Sequence, residues 1–194
     1  MPMKKGFGWL LVLLFAVSVT GMARTTMVTV SINDDAPYTA AREVDIHLVY
    51  TGNEVPTQMR VYGTGEDDWS EWFDYTDELS WVLAGDDGRK TIKVETRYWL
   101  ESGTDEAVYG AWRIVTDEDD IFFDMTPPVL TASVTPDANE NGWYNGPVSV
   151  VFQASDAGSG LATSPRDLRF NQEGTGQSVV RKAVDKAGNE TEVT

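Results

Sequence analysis

The chain has 194 residues, 31 Asp and Glu against 15 Lys and Arg, a formal charge of -16 and no cysteine. Nucleic acid and anionic lipid are excluded as partners, because affinity for them comes mainly from neutralising phosphate with Lys and Arg. Disulfides and cysteine acylation are excluded as well, so hydrophobic cores alone must hold the fold.

The N-terminus carries a targeting pattern. Lys4 and Lys5 precede an apolar run over 7–19, and Gly21-Met-Ala23 puts small residues where a signal peptidase reads. This predicts a secretory signal peptide over 1–23, since the run is short for a bilayer span. Its removal takes the charge from -16 to -18 and leaves 171 residues, enough for one large domain or two small ones. The expected location is secreted or cell surface, with no membrane contact after cleavage.

Helical periodicity is nearly absent beyond residue 24. Short alternating runs parted by Gly, Asp, Asn and Pro recur instead, the signal of antiparallel sheets. Residues 27–32 alternate and end at Asn33-Asp34-Asp35. Val44, Ile46 and Leu48 point one way, Asp45 and His47 the other. The pattern returns at 59–62 and 79–83. Gly85-Asp-Asp-Gly88 reads as a hairpin-type turn, and Ile92, Val94 and Thr96 as the next inward face. Trp112 and Ile114, then 121–123, close a first unit over 24–125.

Asp124-Met-Thr-Pro-Pro128 is the best boundary, because two prolines stiffen the backbone and cannot sit in a central strand. A second unit over 126–194 has strands at 130–134, 148–154, 168–170 and 179–184, and one more is expected beyond Thr194. The predicted class is all-β, two tandem antiparallel sandwiches, the second lacking its last strand and the chain a piece of a longer protein.

Particular motifs sharpen this. The first unit carries Asn33-Asp-Asp-Ala-Pro-Tyr-Thr39, Gln58-Met-Arg60, Trp69-Ser-Glu-Trp72, Asp87-Gly88, and Ile121-Phe-Phe-Asp124 ahead of Thr126-Pro-Pro128. The second carries Asn141-Gly-Trp-Tyr144, Pro147-Val148, Asp156-Ala-Gly-Ser-Gly160 and Asp185-Lys-Ala-Gly-Asn189. In this order and spacing the chain resembles the bacterial immunoglobulin-like domains found in tandem on large surface proteins, adhesins and extracellular hydrolases. The resemblance covers nearly all of the chain after residue 23 and implies architecture more than activity. One departure is the 97–106 loop, longer than usual and without the Asp-x-Ala-Gly-Asn turn such domains carry.

Catalytic machinery is thin. His47 is the one histidine, and its register puts it on the outward face beside Asp45. No catalytic residue is assigned and no enzyme is expected. The aromatics of the first unit, Trp69, Trp72, Trp81, Trp99 and Trp112 among them, are expected to fill its core, with Trp99 the exception. An exposed row of them would instead stack on sugar rings. Asp137-Ala-Asn-Glu-Asn-Gly142 copies half of a calcium loop but has Val148 where a bidentate glutamate is needed, and reads as a polar turn.

The remaining candidate lies at the boundary. In an immunoglobulin-like sandwich, Asp34, Asp35, Asp86 and Asp87 fall near Asp124, where the chain leaves the first unit. Asp156, Asp185 and Asn189 fall where it enters the second. Both sets face Pro127-Pro128, and calcium takes six to eight such oxygens. The expected function is a non-catalytic extracellular spacer or adhesion module. Its partners are a protein or glycan ligand and neighbouring domains. The alternative is a carbohydrate-binding accessory module of an extracellular hydrolase.

Overall fold

The computed structural model describes residues 26–63, 69–100 and 111–194. The signal segment 1–23 and residues 101–106 of the expected 97–106 loop lie outside them, while 97–100 are not loop but the end of a long strand paired with 111–114. Among the described residues there are fourteen strands and no helix, so none is long and apolar enough to cross a membrane.

In the first unit, alternation becomes burial. β1 (Met27–Ile32), β3 (Glu43–Thr51) and β6 (Glu78–Val82) form an antiparallel sheet in the order β1-β3-β6. The facing sheet joins β2 (Tyr38–Thr39), β4 (Gln58–Tyr62), β5 (Phe73–Asp74), β7 (Gly88–Leu100) and β8 (Ala111–Phe123) in the order β2-β8-β7-β4-β5. Every second residue turns inward: Val44, Ile46 and Leu48 from β3 meet Met59, Val61, Ile92, Val94, Ile121 and Phe123 from the other sheet. Each such side chain contributes roughly 1.5–3 kcal/mol on burial. Asp45 is exposed and His47 half-buried between Ser31 and Glu78, the register the alternation predicts.

The turn after β1 lets the chain change sheets. Asn33, Asp34 and Asp35 all have positive φ, at 48°, 56° and 61°, a conformation that Asn and Asp tolerate better than other side chains. The Asn33 Oδ1 accepts the Asp45 N–H at 2.8 Å to hold it. The chain then enters β2, which pairs parallel to β8. Along the other edge of β1, the Val30 and Ile32 N–H groups donate to the Asp117 and Asp119 carboxylates, 2.8 Å each. Two inward-pointing carboxylates thus close an edge that would otherwise expose its donors.

Two expectations are corrected. Residues 85–88 form no hairpin, because β6 and β7 lie in different sheets and the segment crosses between them. A local turn pattern does not say which sheet the next strand joins. Nor do most of the tryptophans fill the core. Trp81 packs against it with Phe73 and Tyr75, but Arg60 and Arg97 alternate with buried Met59, Val61, Thr96 and Tyr98 and so point outward, and tryptophans stack on them. Arg60 lies 4.7 Å from both Trp69 and Trp72. Arg97 lies 4.1 Å from Trp72 and 4.4 Å from Trp112.

The Arg97 Nε and Nη2 also donate to the Gln58 Oε1 at 3.0 and 2.6 Å. Arg97→Ala is therefore expected to cost about 1–2 kcal/mol in urea unfolding, with Arg97→Lys recovering little because the flat guanidinium makes the stack. A change within the roughly 0.5 kcal/mol of an ordinary surface substitution would show that the stack contributes nothing.

The second unit is smaller. β9 (Val129–Thr135), β10 (Val148–Ser155) and β12 (Leu168–Phe170) form one sheet in the order β12-β10-β9. β11 (Leu161–Thr163), β13 (Arg181–Asp185) and β14 (Glu190–Val193) form the other, in the order β11-β13-β14. Leu130, Val150, Phe152 and Ala183 are its buried core. Four such residues against thirteen in the first unit make this half the less strongly packed. β14 lies on the far side of the Asp185–Asn189 turn and pairs with β13. The alternation reading ends its strands at 184 and misses β14.

Candidate metal centre at the junction of the two units

Asp124 follows β8 directly, and its N–H donates to the Thr39 carbonyl at 2.9 Å. Its side chain then points across the boundary. One carboxylate oxygen accepts the Thr126 N–H at 3.1 Å, within the linker, and the other accepts the Ser159 N–H of the second unit at 2.6 Å. The Asp124 carbonyl accepts the Asn189 amide at 2.8 Å. Asp124 is 0% exposed. It belongs to both units.

The two turns of the second unit are built to receive it. The Asp156 Oδ1 accepts the Gly160 N–H at 2.5 Å, which folds 156–160 tightly. Asp185 does the same for 185–189, accepting the Asn189 N–H and side-chain amide at 2.8 Å each. The turns are laced together by Lys186 N–H to the Gly160 carbonyl, 2.9 Å, and Ala187 N–H to the Ser159 Oγ, 3.2 Å. Gly158 is needed for this closeness, because a Cβ there would sit 2.4 Å from the Asp124 Oδ2. Thr191 adds a hydroxyl bond to the Pro128 carbonyl at 2.5 Å.

Asp124, Asp156 and Asp185 thereby come together, with one carboxylate oxygen from each lying within 4.8 Å of the others. Two oxygens bound to a single calcium at 2.3–2.6 Å lie at most about 5 Å apart, so the spacing fits one coordination sphere. Asp185 is only 1% exposed, and no Lys or Arg forms an ion pair with any of the three among the described residues. Carboxylates removed from water need a compensating charge. Each oxygen that accepts one N–H keeps a lone pair for a hard cation.

Not every expected ligand gathers here. Asp34 and Asp35 remain in the left-handed turn, and Asp86 is exposed; none joins the three carboxylates. Asp87 holds the linker instead. It accepts the Thr126 hydroxyl at 2.5 Å and the Met125 N–H at 3.0 Å. These bonds, the Thr126 hydroxyl first, hold its carboxyl below the usual value of 3.8. The clamp is therefore intact above the ordinary carboxylate range and is lost only as pH falls through the lowered value. Asn189 is a positioning residue, its amide bonding both Asp124 and Asp185. Thr126, Gly158 and Ser159 also build the site, although nothing about their types marks them beforehand. In the Asp137 segment the Asn139 Oδ1 accepts the Asn141 and Trp143 N–H groups at 3.0 and 2.9 Å, the polar turn expected there.

No family model matches this chain, and no curated protein matches it.

Proposed function

We infer that this chain is a secreted, non-catalytic spacer and adhesion segment of a bacterial surface or extracellular protein, built of two immunoglobulin-like sandwiches whose junction is set by calcium. The junction carries the reading. A polymer of domains that displays a binding end at a distance needs a fixed angle between units, and Asp124 places one carboxylate in the turns of the next unit while prolines stiffen the linker. The two-sheet arrangement supports the immunoglobulin-like part, since sequence-adjacent strands β6 and β7 lie in opposite sheets, a Greek-key trait of such sandwiches. Asp124, Asp156 and Asp185 would supply the carboxylate oxygens. Calcium would remove their mutual repulsion and stabilise the folded junction through binding linkage.

The test uses the full chain freed of metal with a chelator. At calcium a hundredfold above its dissociation constant, linkage contributes about 2.7 kcal/mol. For a unit this small that raises the melting temperature by roughly ten degrees or more. Small-angle scattering is expected to narrow toward one extended shape. Asp156→Asn keeps the acceptor for the Gly160 N–H but removes a charge, so it is expected to fold and to lose most of the response. If millimolar calcium moves neither melting temperature nor shape, these aspartates act only as turn residues.

A further inference from the structure

The outer face of the five-stranded sheet is the other unusual surface of this molecule. It carries an alternating row in which Trp69, Arg60, Trp72, Arg97 and Trp112 succeed one another, and Trp99 closes the row edge-on to Trp112 at 5.4 Å. Most of the row is consumed by its own stacking. Its far end is not. Trp99 is 43% and Trp112 42% exposed, and the two are cross-strand partners on β7 and β8. Adjacent exposed indoles on a regular sheet are what a soluble protein avoids unless the surface is used.

The neighbouring groups indicate by what. Arg97 commits its Nε and Nη2 to Gln58, which leaves the Arg97 Nη1 and the Gln58 amide N–H groups uncommitted among the described residues. Fixed N–H donors therefore stand beside exposed indoles that have few ways to move. A pyranose ring complements that pair of features. Its C–H face carries slight positive charge and suits the negative face of an indole, while its hydroxyl oxygens accept from N–H donors at the edge. Holding the donors and rings rigid lowers the ordering cost of binding. On the same face Glu95 and Glu118 are paired with Arg60 and Lys93, while the whole chain is at -16, and it is this net charge that disfavours an anionic glycan and a second copy of this chain alike. We propose that Trp99 and Trp112, with Arg97 and Gln58, form a binding site for a neutral pyranose polymer. The site lies apart from the junction and does not depend on the cation there.

The experiment is retention of the full chain on insoluble cellulose, chitin and starch, run in chelator so that the calcium reading is not at issue. Retention on at least one is expected, weakened tenfold or more by Trp99→Ala and by Trp112→Ala. Trp143→Ala, which alters an indole 55% exposed on the second unit, is expected to leave it unchanged. Hydroxyl-radical footprinting of the unaltered chain with the matching soluble hexasaccharide covers the case in which a variant fails to fold. Protection of Trp99 and Trp112 but not Trp143 is the expected result. Retention by none of the three, equal loss with Trp143→Ala, or a footprint elsewhere overturns the proposal. So does a Trp112-dependent dimer in sedimentation without glycan retention.

Discussion

Ile46→Asp is expected to unfold the first unit, while His47→Asp one residue away leaves it folded. Ile46 is 0% exposed and stands in β3 between Ile32 of β1 and Leu79 of β6. A carboxylate at this position enters a core of aliphatic side chains with no cation beside it, at a cost of several kcal/mol. Domain stabilities are only about 5–15 kcal/mol, and no disulfide restrains this chain. His47 faces the opposite way. An aspartate there meets Glu78 across the ladder, and like charges directly opposite cost under about 1 kcal/mol. Circular dichroism and urea titration of both variants decide the matter. Equal tolerance of the two would mean that the register of β3 is wrong.

That register was legible because β3 has one apolar face and one polar face over six successive residues. The same condition explains what was not legible. In Glu190-Thr-Glu-Val193 only Val193 is apolar and inward, while Thr191 spends its hydroxyl on the Pro128 carbonyl, so β14 shows no period of two. Tyr98 and Trp99 are adjacent aromatics on opposite faces of β7. Hydrophobicity cannot assign either to the core, and the arginine two residues earlier is the only local hint that the tryptophan lies outside. At the junction, aspartates in turns could be recognised, but the choice among them could not. Asp86 and Asp87 are neighbours in sequence, yet Asp87 binds the linker and lies against the Asp124 side chain, while neither is one of the three clustered carboxylates. The selection depends on how Asp124 leaves β8 and where the following prolines send the chain. Those are properties of two units together, invisible to either strand pattern alone.

Gly158→Ala is expected to destabilise the chain only when Asp124 is present. Gly158 is not in the left-handed region, so alanine meets no backbone penalty there. In open space the change would stabilise by about 0.4–1 kcal/mol by restricting the unfolded chain. Here the new methyl would fall 2.4 Å from the Asp124 Oδ2 and 2.6 Å from its Cγ. Either the turn or the carboxylate must move. Movement of the carboxylate breaks its 2.6 Å bond to the buried Ser159 N–H. Crowding of this kind costs about 1–3 kcal/mol, and an orphaned buried donor a further 1–3 kcal/mol or so. Asp124→Ala alone is also destabilising, because it leaves the Ser159 and Thr126 N–H groups without their acceptor. It nevertheless clears the space. In that background Gly158→Ala is expected to be neutral or slightly stabilising, a coupling of at least about 1 kcal/mol between residues on opposite sides of the linker. Thermal unfolding of the two single variants and the double variant measures it. The same cost for Gly158→Ala in both backgrounds would mean that Asp124 does not occupy the turn of the second unit, and the cross-boundary contact would be lost with it.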